Sequence, residues 1–157
     1  MITEFALHTP FFMKSFNCLS SLDYKMRLKK RSNPKTNNTD TLLKLYEIYD
    51  NHRNAILWFL EELDANNYEQ YLEKYSGTSS GRSHFIAVCG FFELSGVLVS
   101  YGLIDQNLYF DMFNPTPFWE KAKPIVEGMR TKRPHIYEKF ELLNNKRLAW
   151  AKKRRKS

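Results

Sequence analysis

The first residues in this 157-residue chain whose types and spacing suggest chemistry are Gly77-Thr-Ser-Ser-Gly81-Arg82-Ser83. A loop that cradles nucleotide phosphates places four residues between its glycines, follows them with Lys and grows out of a strand. Here three residues separate the glycines, Arg stands where Lys is needed, and the pattern in front is helical. The reading is therefore a turn between helices. Metal chemistry is no better supplied. His8, His52, His84 and His135 have no partner at i, i+4, and His84 and Cys89 are five apart, off one helical face. Two cysteines, Cys18 and Cys89, make neither a disulfide framework nor a four-Cys site, and they fit a reducing compartment. No local constellation argues for a nucleophile with its base, so the chain reads as a non-enzyme needing no cofactor.

Charge offers a different chemistry, the holding of anions. The net charge is +7, but it is unevenly placed. Residues 1–39 carry seven basic side chains against two acidic, residues 146–157 seven against none, and the stretch between them ten against fifteen. A body of that sign repels phosphate on average, so any grip on a nucleic acid belongs to the ends. The candidates are Lys29, Lys30 and Arg31 near the start and Lys152, Lys153, Arg154, Arg155 and Lys156 at the finish. The competing reading of the second group is a solvated helix end, where cations favour the negative end of the dipole.

The elements that must position these groups are helical almost throughout. Leu42, Leu45, Tyr46 and Tyr49, then Ile56, Phe59, Leu60 and Leu63, then Tyr68, Tyr71, Leu72 and Tyr75 each repeat at three- and four-residue intervals. Residues 84–104 are apolar on all sides, which predicts a central, buried helix. They also approach the length of a transmembrane span, but Glu93 near the middle and interspersed Gly and Ser favour a soluble core. A short helix capped by Asp105 follows, then a stripe at Phe118, Ala122, Ile125 and Met129 with Pro124 inside it as a kink. The last helix is expected to open at Pro134 and run toward Trp150. The fold class is all-α, about six to seven helices in one domain over 40–150. A basic extension and linker (1–39) precedes it and a basic tail (151–157) follows. Pro10 and Glu4 spoil an export signal, so a cytoplasmic protein without a transmembrane segment is expected.

Within 84–150 the strings FFELSGVLVSYGLIDQNLYFDMF, FWEKAKPIVEGMR and PHIYEKFELL resemble a prokaryotic family of helical domains, domain-of-unknown-function family 4760. The matching elements are Phe92-Glu93, Gly102-Leu103-Ile104-Asp105, Trp119-Glu120 with Pro124, Arg130, and Tyr137-Glu138 with Phe140. The resemblance spans about residues 42–150 and implies a compact helical domain with no activity attached. Many members of the family carry an N-terminal membrane helix, and the basic, Pro-interrupted start of this chain departs from that.

Glu93, on a helix apolar all round, needs a partner if it is buried. Arg130, from the same family pattern, is the candidate for a buried ion pair; the alternatives are that Glu93 reaches the surface or stays protonated against a backbone or Trp119 donor. The function expected is binding of another macromolecule, most simply a protein partner or a second copy of the chain. The alternative is a nucleic-acid-associated protein gripping through its basic ends.

Overall fold

The computed structural model describes residues 34–156. Within them the chain is all helix and turn, with no strand: α1 (Pro34–Asn51), α2 (Arg53–Leu57), a π-helical turn (Trp58–Glu62), α3 (Tyr68–Lys74), α4 (Ser80–Ser100), α5 (Gln106–Met112), α6 (Thr116–Arg130) and α7 (Glu138–Arg154). The expected extension over residues 1–33, including Lys29, Lys30 and Arg31, lies outside the described residues. Residues 34–39, expected as linker, are the first turns of α1, because Pro suits a first helical turn and the stripe at Leu42, Leu45, Ile48 and Tyr49 propagates the helix backward.

Helix boundaries follow local chemistry where the cap is close in sequence. Asn67 Oδ1 accepts the Gln70 N–H at 2.9 Å while Gln70 Oε1 accepts the Asn66 N–H at 2.9 Å, a reciprocal cap for α3. Ser79 and Asp105 do the same for α4 and α5, accepting from Arg82 and Leu108. Gly77, at φ +61°, turns the chain between α3 and α4 in a conformation that favours glycine. Gly81, expected within the turn, belongs to α4, where the rings of Tyr75 and Trp58 lie against its Cα and leave no room for a methyl.

The core is aromatic and is organised around α4. Phe85 stacks on Phe59 and touches Tyr71, and Phe92 lies between Phe118 and Phe140 with ring centroids 4.7 and 4.9 Å away. Trp119 meets the edge of Phe140. Such pairs add about 0.5–1.5 kcal/mol each beyond the area they bury. α7 packs most extensively on α4, α3 rests on α6, and the π-turn touches both α4 and α6. Lys121 of α6 donates its ammonium to the Leu60 carbonyl in that turn, so the widened helical ring does not leave the oxygen bare. Pro124 is accommodated inside α6 without ending it.

Four tyrosines reach into this core, and burial raises each phenol above its ordinary value of 10.0: Tyr71 to about 12, and Tyr49, Tyr109 and Tyr137 in the same direction. The folded chain therefore holds these protons more tightly than the unfolded chain does. Their contribution to stability is complete below about pH 10 and is lost as the pH climbs toward the folded values. Melting temperature should fall steeply above pH 10, with tyrosinate absorbance rising together with loss of helix. Tyrosinate appearing in full while the helical signal is unchanged would contradict this burial.

Candidate functional site

Glu93 and Arg130 do not form the expected ion pair. Each is claimed by a closer geometric match. The Glu93 carboxylate, projecting from the middle of α4, accepts the backbone N–H groups of Lys139 (3.2 Å) and Phe140 (2.8 Å). These are first-turn donors of α7 that no residue of that helix can satisfy. The anion also lies at the positive end of the α7 dipole. Arg130, at the end of α6, instead bonds Glu141 at 2.6 Å and the carbonyls of Ile136 and Tyr137 at 3.1 and 3.3 Å. Its guanidinium also stands over the Trp119 ring.

These two clamps explain why α7 starts at Glu138 and not at Pro134. Ile136 N bonds Arg133 O in a turn, Arg130 holds the next two carbonyls, and Tyr137 is driven to φ +55°, a left-handed conformation rare for an aromatic residue. The clamped loop brings Lys132, Arg133 and Tyr137 to the side of α3 and the first turns of α4. Tyr68, Tyr71 and Leu72 come from α3, Arg82 and Ile86 from α4, and Met129 and Ile136 from α6 and the loop. Together they enclose a cleft of about 170 Å³. Sequence reasoning missed this cleft. Its one visible trace was the tyrosine stripe at 68–75, read there as a helical repeat.

A second feature lies on α4 itself. The helix is central, as its apolar composition predicts, but among the described residues its neighbours cover one side of it and leave the other exposed. Ile86, Leu94 and Tyr101 are 51%, 43% and 72% exposed, Gly90 is open, and Leu103 just beyond is 59% exposed. Ser83, Ile86, Ala87, Gly90, Leu94, Val97 and Tyr101 share that outer face, and none carries a charge. Ordinary solvent faces of helices are charged or polar. By length and composition α4 is apolar enough to cross a membrane, and 44% of its most apolar stretch is buried in the domain.

The basic C-terminus is helix as far as Arg154, four residues into the expected tail. Trp150 sits between the guanidinium groups of Arg147 (4.5 Å) and Arg154 (4.6 Å), and its indole N–H donates to Asn107 of α5 at 2.9 Å. Arg154 pairs with Asp111 of α5. Of the five candidate phosphate contacts at this end, Arg154 therefore has a carboxylate partner, and all five side chains are exposed. Cys89 is a free, fully buried thiol whose pKa burial pushes well up, which makes it inert. No group of three metal-ligating side chains gathers among the described residues.

A family model described as "Domain of unknown function (DUF4760)" matches residues 36–147. No curated protein and no solved structure matches the chain.

Proposed function

Because the chain belongs to the DUF4760 family, whose description carries no activity, its own surface must supply a reading, and we propose that it is a non-catalytic, cytoplasmic protein that binds another protein along the outer face of α4. The observation that carries this is the uncharged stripe from Ile86 to Tyr101, fifteen residues along a helix and so about 22 Å long. A contiguous apolar surface rimmed by polar groups is characteristic of an interaction site. Its length suits three turns or more of a partner helix laid against it with apolar side chains at the same spacing. Phosphate has no counterpart anywhere along the stripe, which sets it apart from a nucleic-acid surface. The free, buried Cys89 fits a reducing interior.

The test places a photo-crosslinking residue at Leu94 in the full chain and illuminates intact cells. One discrete protein adduct is expected at Leu94, and none from the same group at exposed Glu120 on α6. Leu94→Lys in the purified pair should weaken the complex at least tenfold while leaving the melting temperature within a few degrees. Adducts with lipid, or adducts equally abundant at Glu120, would overturn the assignment. Nucleic acid retained at low salt and lost on removing residues 152–157 would move the function to the basic ends instead.

A further inference from the structure

We infer that the tyrosine-lined cleft between α3, α4, α6 and the loop preceding α7 is a binding site for a small phosphomonoester carried on an apolar or aromatic body. Arg82, Lys132 and Arg133 converge on it, and none makes a side-chain hydrogen bond or ion pair with any described residue. Surface cations generally pair with local acids or point into water, and here three of them, from two separate segments, border one small concavity. The phenols of Tyr71 and Tyr137 belong to the same concavity and make no hydrogen bond to a described residue. Arg82 lies on the wall with Tyr71, and Arg133 with Tyr137, and beside the dominant effect of burial each cation acts electrostatically on its phenol. Glu93 also acts on Tyr137, but its oxygens are already engaged by the N–H groups of Lys139 and Phe140.

The set is two neutral O–H donors and three cationic donors with no unengaged acid among the lining groups, which matches a dianionic oxyanion better than a neutral or cationic ligand. Both phenols stay protonated across the physiological range, since burial raises them, so they remain donors. The rest of the wall is apolar: the Tyr68 ring, Leu72, Ile86 and Met129. At about 170 Å³ the space is below the usual size of a drug-like pocket and suits one ring or short chain bearing the anionic group. Tyr137 is held in its left-handed conformation by Arg130, and such backbone outliers collect where a side chain must be aimed.

Phenyl phosphate, inorganic phosphate and benzoate, titrated separately into the full chain by calorimetry at low salt, test this. Phenyl phosphate should bind saturably with one site per chain, at least tenfold more tightly than benzoate, and inorganic phosphate more weakly for want of the apolar wall. Arg133→Gln and Arg82→Gln should each weaken phenyl phosphate at least tenfold without changing the melting temperature, and Tyr137→Phe should weaken it several-fold. Leu94→Lys, which disables the proposed protein-docking face, should leave the affinity unchanged, so the two assignments fail independently. Absence of saturable binding, equal affinity for benzoate, or indifference to both arginine substitutions would overturn the site.

Discussion

Gly96→Ala is expected to lower stability by about 3 kcal/mol, or roughly 10 °C in melting temperature for a domain of this size. The methyl would stand 2.6 Å from the carbonyl carbon of Lys139 and closer still to its oxygen. That obstacle is backbone, so no rotamer change relieves it. α7 would have to lift away from α4, loosening the Phe92–Phe140 stack and pulling the Lys139 and Phe140 N–H groups off Glu93. Gly90→Ala supplies the contrast on the same helix. Nothing lies within 4 Å of its added carbon, and Ala is the better helix former, so a gain of about 0.5–1 kcal/mol is expected. Thermal denaturation of the two variants measures both. Equal effects would mean that α4 and α7 do not meet at Gly96.

Glu93→Ala comes next, with an expected loss of about 3 kcal/mol. Two part-buried N–H groups lose an ionised acceptor, and hydrogen bonds to charged groups contribute about 1.5–3 kcal/mol each, with partial recovery through water. Glu93→Gln keeps one oxygen at the α7 N-terminus but gives up the charge and one acceptor, so it should lose about 1–2 kcal/mol. A double-mutant cycle between Arg130 and Glu141 should report coupling of about 1 kcal/mol or more, since they are the pair in direct contact. Loss of less than about 0.5 kcal/mol in Glu93→Ala would mean that water caps α7 as well as the carboxylate does.

The helices were legible in the chain because their signal is local. The stripes at 56–63 and 118–129 place buried or part-buried residues at the expected spacing, the stripe at 68–75 does so at its three tyrosines while Leu72 is exposed, and the Asp105 cap is a matter of three residues. The same reasoning misplaced the start of α7 because what decides it is not local. Pro134 is a competent first-turn residue, but the acceptor that satisfies the new helix stands on α4, 46 and 47 residues earlier. Arg130 had two carboxylates to choose between. Pairing it with Glu93 required knowing that Glu93 was free, and the N-terminus of α7 had already taken it. The central place of α4 was legible as well, but not the exposure of one of its faces, since an apolar residue on a helix reports what could be covered and not what is. The cleft was least legible of all. Lys132 and Arg133 look like a soluble loop, Arg82 like a first-turn charge and Tyr137 like a core aromatic, and only the fold brings them to one place.

The loan of a cap from α4 to α7 fixes an order of events during synthesis. α4 emerges from the ribosome before residue 139 does, so for that interval Glu93 is a carboxylate on an apolar helix with its acceptors unused, and the Phe92 ring has no Phe140 to stack on. The first turn of α7 lacks its N-terminal acceptor until it reaches α4, because short helices alone are marginal in water. The last helix therefore nucleates on the surface of α4, and chain completion and core closure become a single late step. Mutations at Glu93 or Gly96 should slow that step as well as weaken its product, whereas changes on the uncovered face of α4 should pass through folding unnoticed.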